Sequence, residues 1–320
     1  MSLKRLNINW YPGHMAKGFR LLEEQLSMID IVVEICDARI PLSSRNEKLQ
    51  EMIKDKNRLL VLNKEDLADP IETAKWKSYF LSKGIRCISV STHNINPNKN
   101  EIFDQCREIF ADKLQRHQEK GRINRPIRLA MTGIPNCGKS TMINSLFAKS
   151  SMKTENRPGV TRSVHWLRSN DAKFECLDSP GLLWPKISKD RSALFLAGLG
   201  SIREEILDIE SIAYYLFIIL FQIDAKVMTE YFSLKSSICS SLINNYDLAI
   251  YTINNFESEF YDLFIEAAKN RGCIRKGGRA DTDRFAKIFI KELRDGKFAR
   301  MTLEPFNKLV LQNIDRILEG

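Results

Sequence analysis

Two sequence motifs with the chemistry of nucleotide binding occur in this chain, but in reversed order. Residues 133–140 (GIPNCGKS) fit the P-loop pattern G-x-x-x-x-G-K-[ST], whose backbone N–H groups cradle phosphates. Residues 63–66 (NKED) fit N-K-x-D, the motif that recognises guanine. In an ordinary GTPase the phosphate loop comes first. The two motifs together predict GTP as the ligand, and their order predicts a circularly permuted GTPase domain.

The P-loop predicts how the phosphates and a magnesium ion are held. The side chain of Lys139 is expected to reach the β- and γ-phosphates, and the Ser140 hydroxyl to bind Mg²⁺. A helix that begins at this point would direct its positive dipole end towards the anion. Further phosphate contacts are predicted from Asn136, Cys137, Gly138, Thr141 and, later in the chain, Gly181.

The second motif predicts selectivity for guanine. Asp66 would accept hydrogen bonds from the N1 and N2 donors of guanine, which adenine lacks, so a site with this carboxylate would reject ATP. Asn63 follows directly after an apolar strand, and the Lys64 side chain would lie along the base. Ser91 and Thr92, after the next predicted strand, are expected to contact the guanine O6 through their backbone.

Two further segments predict a sensor for the γ-phosphate. Residues 178–181 (DSPG) fit D-x-x-G, in which Asp178 would hold Mg²⁺ through a water and the Gly181 N–H would contact the γ-phosphate. Thr161, at the end of residues 157–161 (RPGVT), is expected to close on Mg²⁺ only when that phosphate is present. A plain turn is the alternative for the Arg-Pro-Gly segment.

The residue that would orient the attacking water is missing from its usual place. GTPases of the Ras type carry a glutamine after the D-x-x-G glycine, whereas this chain carries Leu182. An apolar side chain cannot orient water, so slow intrinsic hydrolysis or a substitute group is expected. His14 is the best candidate among the four histidines, and a surface or helix-cap histidine is the alternative on the residues alone.

Strands that alternate with helices predict an α/β fold with a mostly parallel, doubly wound sheet and ligands at the carboxyl ends of its strands. Helical periodicity dominates after about residue 190, so the predicted domains are a GTPase domain over 1–188 and a small all-α domain over 189–320. Strands are predicted at residues 29–36, 58–62, 85–90, 127–132, 164–167 and 173–177, and helices at 14–28, 71–83, 99–122 and from Lys139 onwards.

The composition indicates a globular protein with an acidic partner. The chain has 320 residues, of which 28% are charged, and a formal net charge of +9. This favours a polyanion as partner, although a basic protein without a nucleic-acid role remains the alternative. Seven cysteines without a C-x-x-C pair indicate reduced thiols. With no signal-peptide pattern and no apolar stretch long enough to span a bilayer, a cytoplasmic location without a membrane is expected.

The motif order, with residues 10–18 (WYPGHMAKG), 37–46 (DARIPLSSRN) and 178–185 (DSPGLLWP), closely resembles the YlqF/RbgA family of circularly permuted GTPases. The resemblance covers nearly the whole chain and is less distinct after about residue 205. It implies a GTPase that acts in late maturation of the large ribosomal subunit, on rRNA-rich precursors. It also implies that His14 substitutes for the missing glutamine. The position of Asn136 in the P-loop resembles that of the K⁺-coordinating asparagine of potassium-stimulated GTPases, which makes Asn136 a candidate ligand of K⁺.

The resemblance further implies that the helical domain binds RNA. Glycines there would let a loop approach phosphates closely, and Lys and Arg would neutralise them. A solvated helix face is the alternative, because acidic residues interleave with the basic ones. The candidate contacts are Arg271, Arg275, Lys276, Arg279, Lys287 and Lys291.

Two function classes therefore remain open. The first is an enzymatic switch that binds a large-subunit precursor as the GTP form and leaves it after hydrolysis, with Mg²⁺ and GTP or GDP as ligands. The second is an RNA-binding assembly factor that uses GTP as a ligand with negligible turnover, and Leu182 keeps this alternative serious. A membrane-associated or tRNA-modifying GTPase is not favoured. Nothing in the sequence suggests an obligate dimer, so a monomer is expected.

Overall fold

The computed structural model describes residues 13–91, 95–119, 125–147, 153–154, 165–178, 190–235 and 257–307. The chain divides into two compact units, one ending at Pro185 and the other beginning at Lys186. Thr92, Thr161, Gly181 and Leu182 lie outside the described residues.

Seven strands among the described residues form one sheet. They are β1 (Ile31–Asp37), β2 (Asn57–Asn63), β3 (Arg86–Val90), β4 (Ile127–Gly133), β5 (Lys153–Thr154), β6 (His165–Arg168) and β7 (Phe174–Asp178). Their order in the sheet is β3-β2-β1-β4-β7-β6-β5. The first five in that order run parallel, and β6 and β5 are antiparallel to their neighbours. The predicted mostly parallel sheet is confirmed.

The helices of this unit cover both faces of the sheet. They are α1 (Gly13–Gln25), α2 (Glu47–Met52), α3 (Pro70–Ser82), α4 (Ile95–Glu119) and α5 (Lys139–Phe147). Phe19 and Leu22 of α1 pack with Val32 of β1 on one face. On the other face Phe103 of α4 stacks on Phe174 of β7, with ring centroids 4.3 Å apart. Side chains that alternate along buried strands supply apolar surface to both helical layers, as a parallel sheet requires.

The second unit is helical over its described residues. Its helices are α6 (Asp190–Gly198), α7 (Ile209–Ile223), α8 (Ala225–Phe232), α9 (Glu257–Asn270) and α10 (Thr282–Arg294). The side chains of α7 are buried from Ile212 to Gln222. Its Phe217 ring lies against Phe264 of α9 and Phe289 of α10, so α7 is the central helix of this core. None of the described helices is long and apolar enough to cross a membrane.

Candidate nucleotide site

The candidate site is built on the carboxyl ends of adjacent parallel strands. Asp37, Asn63 and Gly133 end β1, β2 and β4, and β1 lies between the other two. Asp37 is paired with Asn63 in the register, and Gly133 with Ile35. Ligands of open α/β sheets bind in this position, beyond the carboxyl ends of the strands. The sheet therefore brings the P-loop and the guanine motif to one edge, despite their separation in the chain.

The backbone of the P-loop (residues 133–140) requires its glycines. A Cβ added at Gly133 would lie 2.6 Å from the Ile35 carbonyl oxygen and 2.7 Å from Cys137 Sγ, so no larger residue fits. Asn136 and Gly138 have φ angles of 62° and 93°, a left-handed conformation that curls the chain before α5 begins at Lys139. A loop of this kind turns its N–H groups inward and leads into a helix N-terminus, which suits phosphate.

The guanine loop (residues 63–66) is hydrogen-bonded to the P-loop. The buried Asn63 donates from Nδ2 to the Cys137 carbonyl oxygen at 2.7 Å. Lys64 donates from Nζ to the Asn136 carbonyl oxygen at 2.8 Å. The Glu65 N–H donates to the Val90 carbonyl at the end of β3, at 3.2 Å, which ties the loop to the strand before Ser91. Two motifs that are distant in sequence thus form one structural unit.

The loop also carries unsatisfied acceptors. Oδ1 of Asp66 and Oδ1 of Asn63 are buried, and neither has a hydrogen-bond partner among the described residues. A buried acceptor without a donor is unfavourable by about 1–3 kcal/mol, so such atoms are rare unless a ligand or water completes them. A base that presents N–H donors to Asp66 would remove this cost.

A buried cluster of charges beside the guanine loop was not predicted as part of the site. Asp37 accepts from Arg39 Nε and Nη2, each at 2.9 Å, and its Oδ2 lies 2.9 Å from Lys64 Nζ. Burial alone would raise the pKa of Asp37, but the charges of Arg39 and Lys64 outweigh it and hold that pKa well below its ordinary value. The sequence signal that could have found it is a carboxylate, Asp37, at the end of a strand whose residues are otherwise apolar except for Glu34.

The thiol within the P-loop, that of Cys137, is buried and protonated at neutral pH. Burial is the main effect on Cys137 and raises its pKa to about 11. The group is therefore a neutral thiol at pH 7, and thiolate chemistry is not available to it. Its contribution to the site is its carbonyl oxygen, which Asn63 binds.

The residues predicted to bind magnesium are described only in part. Ser140 is exposed in the first turn of α5, so its hydroxyl is available to a hard cation that prefers oxygen ligands. Asp178 is the last residue of β7, and its backbone pairs with Met131 of β4. Strand β7 is thus the neighbour of the strand that leads into the P-loop. The backbone of His14 lies in the first turn of α1. The side chains of Asp178 and His14 lie outside the described residues.

The basic residues predicted to contact RNA fall into two groups. Arg271 stacks on Tyr231, with its guanidinium carbon 4.5 Å from the ring centroid, and pairs with Glu292 at 2.8 Å. Two others also form ion pairs. Arg275 pairs with Asp281 at 2.9 Å, and Lys287 pairs with Asp283 at 3.0 Å. The residues that are exposed and form no ion pair within the described part of the chain are Lys276, Arg279 and Lys291.

Known proteins resemble this chain in sequence. A family model described as 50S ribosome-binding GTPase matches residues 128–255, beginning just before the P-loop and leaving the guanine motif outside and ahead of it. Ribosome biogenesis GTPase A from Bacillus cereus is 38% identical over 299 residues, which cover 93% of both chains.

Two solved structures of YlqF are also similar. A GDP-bound structure is 25% identical with a TM-score of 0.59 and covers 90% of this chain and 99% of the other. A GNP-bound structure from Thermotoga maritima is 25% identical with a TM-score of 0.57 and covers 90% of this chain and 98% of the other. Identity of 38% over 93% of both chains shows that the chain belongs to the ribosome biogenesis GTPase A (YlqF/RbgA) family.

Proposed function

We propose that this chain hydrolyses GTP to GDP and phosphate and acts in late maturation of the large ribosomal subunit. In this proposal the GTP form binds rRNA-rich precursors, and hydrolysis releases it. The observation that carries the proposal is the pair of hydrogen bonds from Asn63 and Lys64 to the P-loop, beside the unpaired oxygen of Asp66. The names of the relatives support ribosome assembly as the process.

Guanine selectivity rests on hydrogen-bond complementarity. Asp66 has a buried acceptor that guanine N1–H and N2–H groups would satisfy, whereas adenine offers no donor at those positions. Leaving that oxygen unpaired would make ATP binding unfavourable. Ser91, which is buried after β3, and Thr92 would complete the base pocket through their backbone.

The phosphates would be held by the P-loop backbone and by Lys139 at the start of α5. Ser140, Thr161 and Asp178 would hold Mg²⁺, which when bound neutralises charge on the phosphates. Asn136 is proposed to bind K⁺ as a second cation near the same charges. The Gly181 N–H would contact the γ-phosphate, so only the GTP form would keep the switch segments in place.

Slow intrinsic turnover follows from the residue after that glycine. Leu182 cannot orient a water molecule, and His14 is proposed to take over this positioning when the protein is on its ribosomal partner. Turnover would therefore be stimulated by the large subunit. The second candidate function, an RNA-binding factor with negligible turnover, is favoured by the same leucine.

RNA contact is proposed for the second unit, with the protein acting as a monomer in the cytoplasm and without a membrane. Lys276, Arg279 and Lys291 are the favoured contacts because they are exposed and form no ion pair among the described residues. Arg275 and Lys287 are exposed but already paired, so their contribution would be smaller. Arg271 is the least suited, since it is packed on Tyr231.

The test is GTP turnover by the purified chain alone, with large ribosomal subunits and with small subunits as the matched control. We expect low turnover alone and a rise of about 10-fold or more with large subunits only. The variant His14→Ala should lose this rise while its GTP affinity stays unchanged. Equal turnover with and without large subunits would favour the passive RNA-binding factor.

A further inference from the structure

We propose that Asp37 is a positioning residue for the guanine nucleotide, which acts by holding the Lys64 ammonium group in a fixed place between β1 and the P-loop. The inference rests on the proposed function, because it assigns a role in that same nucleotide site. It extends the site to a residue outside both the guanine motif and the P-loop.

The geometry at Asp37 joins three parts of the molecule. Arg39 donates to Asp37 from its backbone N–H at 3.1 Å, and from Nε and Nη2 at 2.9 Å each. Lys64 Nζ lies 2.9 Å from Asp37 Oδ2 and donates to the Asn136 carbonyl at 2.8 Å. The carboxylate at the end of β1 is thereby connected to the P-loop through a single lysine.

Asp37 has two cationic partners, Arg39 and Lys64. Arg39 alone engages both carboxylate oxygens, in the bidentate arrangement that suits a guanidinium and a buried acid. The contact with Lys64 adds to this pair and places the Lys64 ammonium group beside a carboxylate that Arg39 already engages. A lysine side chain has a flexible four-carbon stem and is mobile unless its ammonium group is fixed.

Fixing the ammonium group prepares a surface for the base. Lys64 has a left-handed φ of 61°, and its ammonium group is held at one end by Asp37 and Asn136. Because the backbone and the ammonium group of Lys64 are both held, the methylene groups between them have few conformations to lose. Binding of the base then costs little conformational entropy at this side chain. Preorganisation of this kind raises affinity without a new contact.

Glu34 on the same strand offers a matched control. It is buried like Asp37, and it accepts from Arg45 at 3.2 Å and from Gln50 at 2.6 Å. Its hydrogen-bond partners within the described part of the chain, Arg45 and Gln50, lie outside the guanine loop and the P-loop. The variant Glu34→Gln removes a buried ion pair of β1 and leaves the contacts of Lys64 in place. It therefore measures how the loss of such a pair by itself affects nucleotide affinity.

The experiment measures equilibrium affinity for GDP and for a non-hydrolysable GTP analogue in the full chain. The variants are Asp37→Asn, Lys64→Met, the double variant and Glu34→Gln. We expect Asp37→Asn to weaken both nucleotides equally, by about 10-fold, because the lost interaction is the same with GDP and with the GTP analogue bound. Lys64→Met should weaken binding as much, and Asp37→Asn should add nothing in that background.

Three results would overturn the inference: wild-type affinity in Asp37→Asn, an additive loss in the double variant, or an equal loss in Glu34→Gln. If Asp37→Asn does not fold, Arg39→Lys replaces it in the same cycle, with a smaller loss expected and again none in the Lys64→Met background. A wild-type chain that bound no guanine nucleotide would instead refute the proposed function. Wild-type binding with an unaffected Asp37→Asn variant would refute only the role of Asp37.

Discussion

At the scale of single residues, the two buried acids of β1, Glu34 and Asp37, have pKa values shifted in opposite directions. Burial is the largest effect on both and raises the pKa. At Glu34, Arg45 and Gln50 offset burial only in part, so the pKa of Glu34 stays above its ordinary value of 4.5. At Asp37 two cations outweigh burial, so its pKa falls below its ordinary value of 3.8.

These opposite shifts predict opposite effects of pH on stability. The folded state binds the Glu34 proton more tightly than the unfolded chain does, so the free energy of unfolding falls as the pH rises above 4.5. Glu34→Gln should remove this decline. The ion pairs of Asp37 instead stabilise the fold fully above pH 3.8, and this contribution is lost as the pH falls through the lowered pKa.

Urea unfolding of the wild type and both variants between about pH 4 and pH 8 measures these effects. The wild type should lose stability relative to Glu34→Gln as the pH rises across this range. The free energy of unfolding of Asp37→Asn should lie below that of the wild type by a constant amount over most of this pH range. The difference should become smaller only towards the acid end of the range. Parallel curves for the wild type and Glu34→Gln would show that Glu34 does not have a raised pKa.

Residues of the two motifs were predictable because their chemistry needs particular types at fixed spacing. Asn63 ends β2 and Lys64 follows it, whereas Lys139 begins α5 after the loop that follows β4. Asp37 was not predicted as part of the site, because an acid at the end of a strand has no fixed partner in sequence. Its two cations come from Arg39 and Lys64, and only the fold brings the second one near.

At the scale of elements, the predicted strands agree with the structure to within about two residues, because long apolar runs between turn residues are strong signals. Two short elements were missed. Helix α2 has only six residues, and its start depends on Asn46, whose side chain accepts from the Leu49 N–H. Strand β5 has two residues and exists through its pairing with β6. Such elements depend on tertiary contacts that sequence periodicity cannot show.

The turn from β4 into the P-loop gives a prediction about packing. Gly133→Ala would place a Cβ 2.6 Å from the Ile35 carbonyl oxygen, so β1 and β4 must separate locally. We expect a loss of about 1–3 kcal/mol in stability together with weaker nucleotide binding. Urea unfolding and GDP titration measure both effects.

Gly277→Ala is the control for this substitution. Gly277 has a φ of 86° and no atom within 4 Å of an added Cβ, so only backbone strain of about 1–2 kcal/mol is expected. Nucleotide affinity should not change, because Gly277 belongs to the second unit. A Gly133→Ala variant that bound GDP as well as Gly277→Ala does would contradict the tight approach of β1 to the P-loop.

At the scale of the whole molecule, the division of basic residues in the second unit predicts two kinds of variant. Lys276→Ala and Lys291→Ala remove exposed charges that form no ion pair among the described residues, so RNA affinity should fall and depend less on salt, with an unchanged melting temperature. Arg271→Ala removes the guanidinium that packs on Tyr231 and pairs with Glu292, so its main effect should be lower thermal stability.

Binding to an rRNA fragment over a series of salt concentrations, with melting curves for the same variants, separates the two effects. Lys226→Ala is a suitable control, since Lys226 is an exposed lysine of α8 outside the proposed RNA-binding set. An unchanged salt dependence in Lys276→Ala and Lys291→Ala would favour the alternative of a solvated helix face.

The reversed motif order is compatible with an ordinary nucleotide site because the sheet sets the position of each loop. The guanine loop follows β2 and the P-loop follows β4, with β1 between them, so the two meet through Asn63 and Lys64 whatever their order in the chain. The match of the family model from residue 128 onwards, with residues 63–66 ahead of it, is the sequence counterpart of this arrangement.

The central claim is that this edge of the sheet recognises guanine, and base exchange at Asp66 tests it most directly. Equilibrium binding of GTP, XTP and ATP analogues should be measured for the wild type and for Asp66→Asn. The wild type should prefer GTP over ATP by about 100-fold or more, because guanine and not adenine presents N–H donors at N1 and N2 to Asp66, whose buried Oδ1 has no partner among the described residues. Asp66→Asn should prefer XTP, whose 2-oxo group can accept from an amide. Equal affinity of the wild type for GTP and ATP would contradict the account.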